Sequence, residues 1–515
     1  MAEATTYDEI PYLTAPLYCA HPDFLATKAT IFGMTPAPPE RCRVLELGCG
    51  TGVNLLAMAE ALPESRFVGI DLSPGQIASG RAVAEVLGLR NSRLTAQSIL
   101  DVDNSFGAFD YIICHGVYSW VPPQVQDRIL AICQRHLAPQ GVAYVSYNTY
   151  PGWHLRGVLR DLLVFHARRF STAQARLQEA QPFLGFLAEA LEGATGIYGR
   201  VLASEVGRLR TEDESYVFHE HLEADNQPVY FHQFVERAAA KGLQYLDEAP
   251  TGRPPAIVAR AQPFLNKLTD DPILHEQYCD FLCGRSFRCT LLCHARVALR
   301  RPPSPQAVET MHVVTKLRPT APPPDSTDST VRQFSTASGV TMYTNNPIVG
   351  AALDALVRTW PQALPFRELW RQVQAAEPRC VGADPGQLAA ALLQCYMANV
   401  VELHVHPPAF SGVVSDRPRA SGIARFQADS SDRVTTLRQY CVDLDPVDRF
   451  VLQRLDGNRD RATLFAALEE AVVTGELIIM HTDQPVGDAD TRRQVLEQAL
   501  ESCLCKLAGN ALLVV

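Results

Sequence analysis

Between residues 43 and 148, short continuous apolar runs alternate with longer stretches whose apolar positions recur every three or four residues. Val44-Leu45-Glu46-Leu47 opens the series, with charge before it and glycine after it, the form of a strand buried in a parallel sheet. Gly48, Gly50 and Gly52 follow at every second position, and Val53–Leu62 reads as a helix stopped by Pro63. Arg66–Leu72 is a second strand that ends on Asp71. Ser73–Leu87 is a helix with Ser73 at its N-cap and Pro74 in its first turn. Arg93–Ile99 and Phe109–Gly116 read as strands three and four, Val125–Leu137 as a helix and Val142–Asn148 as a fifth strand. This alternation predicts a doubly wound α/β sheet. Ligands of such sheets sit beyond the carboxyl ends of the strands, which nominates Ser98 and Ile99 after strand three and His115 and Gly116 after strand four.

Elsewhere the pattern is mostly helical. Residues 1–40 form a lead-in with YDEIPY at Tyr7–Tyr12, a short helix near Asp23–Phe32 and a PAPPE turn. Its aromatic and acidic residues can either cover the ligand crevice or strap the core. Residues 149–215 are amphipathic and helical, from Trp153–Phe170 through Gln174–Leu191 to Arg208, and read as an inserted helical cap. Tyr230–Lys241 is a helix, Gly242–Glu248 a candidate sixth strand, and His275–His294 a helical stretch interrupted near Gly284. KLRPTAPPPDSTDSTVRQFST then reads as a linker, with a boundary near residue 320. Helices at Ile348–Arg358, Phe366–Ala375 and Pro385–Met397 precede a strand at Val400–His404, the order of a winged-helix-like module. From about Arg419 the chain is again helical and closes with Arg492–Leu507. The expected layout is a sheet domain over 1–150, a helical cap over 151–315 that partly returns to the sheet, a linker at 316–335, and C-terminal modules at 336–418 and 419–515.

The glycine turn carries specific chemistry. Glycines let the backbone pass close to a ligand, and the following helix start offers free N–H groups. Asp71, at the end of the neighbouring strand, can accept from both hydroxyls of a ribose. The spacing is G-x-G-x-G, and Glu46 precedes it. That carboxylate would repel a pyrophosphate but not an ammonium or sulfonium group. LELGCGTG resembles the first motif of class I methyltransferases that use S-adenosyl-L-methionine, E/D-x-G-x-G-x-G, at every defined position.

A broader resemblance follows from FDYIICHGVYSWVP at Phe109–Pro122 and AYVSYNTYPGWH at Ala143–His154. These look like bacterial protein-lysine methyltransferases of the rickettsial type, whose Rossmann-like cofactor domain is followed by a methyltransferase regulatory domain. FHEHLEADNQPVYFHQF and YCDFLCGRSFRCTLLCH look like that second domain, and the resemblance extends from YDEIPY to about residue 300. It implies cofactor contacts from Glu46, Gly48, Cys49 and Gly50, with Asp71 on the ribose. Leu72, Ser98 and Ile99 would frame the adenine and His115 would lie beside the methionine. Tyr118, Trp120, Tyr147, Tyr150 and Trp153 fall at or after strands four and five. They either wall a desolvated slot for a lysine amine or pack beneath the helical cap.

The implied function is methyl transfer to protein lysine, with a small-molecule acceptor or a non-catalytic cofactor-binding regulator as the alternatives. Across 515 residues, 47% hydrophobic and 20% charged, composition is that of an ordinary globular protein. The formal charge of −10 argues against a nucleic-acid partner. No run of about 18 apolar residues and no leader-like start occur, so neither a membrane span nor secretion is expected. Fourteen scattered cysteines then fit reduced thiols in a cytoplasm. Cys279, Cys283, Cys289 and Cys293 suit one helix face as small apolar residues better than a metal site, and no metal is expected. His219 and His221 are read as alternating along a strand, with Glu220 opposite and a role in folding. The acceptor's identity, the degree of methylation and a possible homodimer are not legible.

Overall fold

The computed structural model describes residues 6–11, 15–249, 256–320, 331–336, 339, 341–378, 382–478, 480–481, 484–485 and 489–515. Seven strands make the central sheet: β1 Arg43–Leu47, β2 Arg66–Asp71, β3 Ser92–Ala96, β4 Phe109–Cys114, β5 Leu137–Asn148, β6 Leu243–Glu248 and β7 Phe287–His294. Their order is β3-β2-β1-β4-β5-β7-β6, with β1 to β5 parallel and β7 antiparallel to both neighbours. Alternate residues of the nearly continuous apolar runs feed opposite faces. Val44, Tyr111, Ile113 and Tyr144 enter one core, and Leu45, Leu47, Ile112 and Val145 the other. The order reverses between β1 and β4, where a doubly wound sheet opens its ligand crevice.

The helices are α1 Thr6–Glu9, α2 Pro22–Ile31, α3 Val53–Ala61, α4 Pro74–Val86, α5 Pro123–His136, α6 Gly152–Ala167, α7 Ala173–Ala190, α8 Ile197–Leu209, α9 Glu214–His221, α10 Phe231–Ala240, α11 Ala256–Leu268 and α12 Pro272–Cys283. Ser73 caps α4 as expected, its hydroxyl accepting from Gln76 N–H. Helices α6 to α9 form the cap, closed around Leu159, Leu163, Leu184, Val206 and Phe218.

Two expectations are corrected here. Residues 275–294 are not one interrupted helix. Gly284, in the left-handed region at φ +61°, ends α12, and the chain then enters the sheet as β7 between β5 and β6. Cys279 and Cys283 therefore lie on a helix while Cys289 and Cys293 share one face of a strand. The four-residue spacing that imitated a helix face also suits alternation in β7. Arg288 points to the other face, fully buried, and is paired with Asp280, Glu248 and Glu276 at 2.7–2.9 Å beneath the Phe231 ring. Residues 219–221 are likewise helical, not extended, because they close α9.

The low-complexity run does not separate two cores. Residues 321–330, the middle of the expected linker, lie outside the described residues. Around it the chain forms β8 His312–Val314, β9 Arg318–Thr320, β10 Arg332–Ser335, β11 Thr341–Thr344, α13 Pro347–Thr359, β12 Leu364–Pro365, α14 Phe366–Ala376, α15 Pro385–Met397 and β13 Glu402–His404. Strands β9 and β10 pair across the run, Thr320 against Gln333. Leu317, Phe334 and Leu353 belong to the same continuous core as Leu25 and Tyr144. Polar contacts add to this, since Asp23 of α2 accepts from His404 Nδ1 and His406 N–H at 2.6 Å.

The last module, α16 Gly422–Ala428, α17 Pro446–Arg454, α18 Arg461–Val473 and α19 Ala489–Gly509, has its own core. It docks through Glu60 of α3, whose carboxylate accepts from Ser421 Oγ at 2.7 Å and caps the start of α16. Among the described residues, no helix is long and apolar enough to cross a membrane.

Candidate active site

A cavity of about 780 Å³ opens beyond the carboxyl ends of β1 and β4. All nine expected cofactor residues line it: Glu46, Gly48, Cys49, Gly50, Asp71, Leu72, Ser98, Ile99 and His115. Gly48 sits at φ +72°, and a Cβ there would lie 2.3 Å from Val117 Cγ2, so only glycine suits the position. The turn is pinned by Gly48 and Cys49 N–H, which donate to Ile70 O at 2.8 and 3.0 Å. Asp71 is held from both sides, accepting from Gly50 N–H at 2.8 Å and Ser73 N–H at 2.9 Å. Burial pushes its carboxyl up, against those amides. A carboxylate offers about four acceptor positions, so these amides leave capacity toward the cavity.

Glu46 is 4% exposed. Its Oε1 accepts from Asn54 Nδ2 at 3.1 Å, while Oε2 is buried without a partner. Burial pushes this carboxyl up to about 8. A buried acceptor left open in this way calls for an N–H or a cation from a ligand, which fits the amino group of S-adenosylmethionine. Leu72, 53% exposed, offers an apolar rim, and Ser98 caps the short turn that carries Ile99. His115 is half-buried at the cavity wall, desolvation pushes its imidazole down to about 4, and its Nδ1 lies 3.0 Å from the Tyr144 hydroxyl. It is therefore a fixed neutral imidazole and not a proton carrier at neutral pH.

Of the aromatic residues expected at the acceptor, Trp120 alone lines this cavity. Tyr118 and Tyr147 are corrected: both are buried in the sheet's second core, each against Phe234, and the Tyr147 hydroxyl bonds Thr290. Trp153 lies behind Trp120, edge to face at 6.3 Å, and is 3% exposed. Tyr150 stacks on His154 at 4.2 Å, outside the cavity wall. Tyr118 and Trp120 sit on a short 3-10 turn beyond the end of β4, where residues two apart point to different sides.

The opposite wall comes from residues that sequence reasoning passed over or, for His219 and Glu220, assigned to folding. Arg156 of α6, Tyr216, His219 and Glu220 of α9, and Phe287 at the start of β7 all face the cavity. The i, i+3, i+4 spacing of the α9 group would have placed them together had the helix been recognised. The lead-in covers the crevice. Thr6 and Tyr7 line it, Tyr7 stacks on His219 at 4.3 Å, and His219 Nε2 donates to Ile10 O at 2.7 Å. Tyr12 lies outside the described residues. On α12, His275, Glu276 and Cys279 bring donor atoms within 4.8 Å of one another, but Glu276 is already paired with Arg288.

Three family models match the chain: a methyltransferase domain at residues 44–141, a predicted methyltransferase regulatory domain at 213–294, and a PKMT C-terminal winged helix domain at 416–512. The winged-helix description thus falls on the last module, whereas the helix order had suggested 336–418. Uncharacterized protein RP789 of Rickettsia prowazekii is 31% identical over 530 residues, covering 100% of this chain and 94% of its own length. A second protein of that organism, RP028, is 43% identical over 241 residues, 47% of this chain and 96% of its own. The structure of PKMT2 from Rickettsia typhi, also solved in complex with AdoHcy, superposes with a TM-score of 0.85 at 29% identity, covering 98% of this chain and 100% of that one.

Proposed function

Because the chain belongs to the S-adenosylmethionine-dependent methyltransferases that join a methyltransferase domain to a regulatory and a PKMT winged helix domain, we propose that it methylates lysine side chains of a protein. The carrying observation is the shape and chemistry of this cavity. Its cofactor end is built on β1, β2 and β3, and its other end sets the aromatic faces of Trp120, Tyr216 and Phe287 around Glu220 and Arg156. Support for the acceptor class comes from the full-length likeness to a PKMT.

Strand order supports the following division of parts. Ser98, Ile99 and Leu72 at β3 and β2 frame an adenine, Asp71 accepts from the ribose hydroxyls, and Glu46 Oε2 takes the amino group. The glycine turn admits the backbone approach, and His115 walls the methionine end. When bound, S-adenosylmethionine supplies a methyl group activated by its sulfonium. The protein's work is to align an amine with that methyl and to exclude water. Trp120 and Phe287 wall the acceptor end, and Tyr7 and Thr6 close the crevice from above. A neutral amine is favoured there because burial disfavours the ammonium.

A second reading has one observation in its favour. Arg156 reaches the cavity and forms no ion pair among the described residues, so it could hold the carboxylate of a small acidic acceptor. A homodimer is supported by the apolar surface of α11 and α12, where Phe264 and Phe281 are 68% and 51% exposed. Sedimentation should then give twice the monomer mass. To test the acceptor class, the protein is incubated with methyl-labelled cofactor and a whole bacterial lysate. Label recovered as methyl-lysine after acid hydrolysis of the protein fraction supports the proposal. Label confined to the small organic extract replaces it with the second reading.

A further inference from the structure

Helix α9 presents Tyr216, His219 and Glu220 to the cavity, and two of the three are already committed. The Tyr216 hydroxyl accepts from Arg208, and His219 holds Ile10 O, Glu223 and the Tyr7 ring. Glu220 makes no hydrogen bond or ion pair among the described residues, although it lines the same cavity as the glycine turn. The charged or titratable groups facing it are Arg156 and Arg160 of α6, Arg208 of α8, and His219 beside it. Arg160 is engaged by the carbonyls of Glu223 and Ala224, and Arg208 by Glu205 and Glu212. Across the cavity stand the apolar faces of Trp120 and Phe287.

We infer that Glu220 binds the acceptor's ammonium group and takes its proton before methyl transfer. This deepens the lysine reading above and rests on it. The carboxylate accepts one proton from –NH3+, leaving a neutral amine with a free electron pair. That pair forms the N–CH3 bond as the S–CH3 bond breaks with its electrons returning to sulfur, and the nitrogen leaves with the positive charge. The carboxyl then returns its proton to water. Burial pushes Glu220 up to about 7 against the pull of the surrounding cations, so it can hold or release a proton at neutral pH. The inference also gives the regulatory region a direct part in the chemistry.

The test uses the full chain saturated with S-adenosylhomocysteine and, as probe, the blocked lysine N-acetyl-lysine-N-methylamide. Calorimetry at pH 6 and pH 8 is run on the wild type, Glu220→Gln and Glu220→Asp. We expect wild-type binding to tighten about fivefold to tenfold between those pH values as the carboxylate ionises. Glu220→Gln should lose that dependence and bind at least about tenfold more weakly at pH 8, and Glu220→Asp should recover part of it. Turnover of Glu220→Gln should fall about a hundredfold or more. Cofactor affinity and melting temperature, read on the same variants, should not move. Glu220→Gln binding like the wild type at pH 8, a persisting pH dependence, or a wild type that ignores the probe would each overturn the inference. These outcomes separate from the lysate experiment: methyl-lysine there with no role for Glu220 sinks the inference alone. Ammonium binding through Glu220 with label on a small molecule sinks only the protein-lysine reading.

Discussion

The two ends of the cavity are built differently. The end proposed for the cofactor is nearly contiguous in sequence, from Glu46 to Asp71, with Ser98, Ile99 and His115 added by the next two strand ends. The end proposed for the acceptor gathers Trp120, Arg156, Tyr216, Glu220 and Phe287 from a loop, two cap helices and the sheet's late strand. Backbone geometry dictates the first, because a turn with three left-handed glycines admits few sequences. Tertiary packing alone dictates the second. A site of the first kind leaves a motif, and a site of the second kind leaves isolated residues.

The sharpest way to break this contrast is to fill the turn. Gly48→Val places branched carbons where Val117 Cγ2 already stands, on a backbone that disfavours any side chain. S-adenosylhomocysteine affinity should fall by at least about a hundredfold, roughly 3 kcal/mol. Unchanged affinity in calorimetry would remove the turn from the site.

A pH scan also loads the packing beneath the cavity. Burial alone would lower His404, but the carboxylates of Asp23 and Glu402 outweigh it and push it up to about 9. Its folded value thus exceeds the unfolded one, near 6.5. The stabilisation is fully present below pH 6.5 and is lost as pH rises through 9. Melting temperature should fall over that window by the equivalent of about 1–3 kcal/mol, and His404→Gln should flatten the His404 part of the slope. An equally steep slope in the variant would discount the Asp23 pair.

The smallest effect is expected at Tyr150. Its ring stacks on His154 away from the cavity, so Tyr150→Ala should leave cofactor affinity and turnover within about twofold. A large loss of turnover would extend the acceptor end to that surface.

What could be read from sequence follows the same division. Strands β1 to β5 and helices α13 to α15 were legible because each is a run of one period bounded by glycine, proline or a cap. Strand β7 was not, since the alternation of FRCTLLCH breaks at Leu291-Leu292 and its cysteines recur at a spacing shared by helix and strand. Helix α9 is only eight residues long and rich in His and aromatic residues, so its period was too short to outweigh apparent alternation. Losing α9 meant losing Tyr216 and Glu220. Tyr118 and Tyr147 were misplaced because position near a strand end does not say which way the ring turns.

The central claim is that the two ends divide the work, one holding the cofactor and the other aligning the acceptor. Asp71→Ala and Trp120→Ala measured side by side test it most directly, with S-adenosylhomocysteine affinity by calorimetry and methyl transfer at saturating cofactor. Asp71→Ala should weaken affinity by about 1–3 kcal/mol and largely spare turnover once cofactor saturates. Trp120→Ala should cut turnover about a hundredfold with affinity nearly unchanged. If both quantities fall together in both variants, the cavity does not divide in this way.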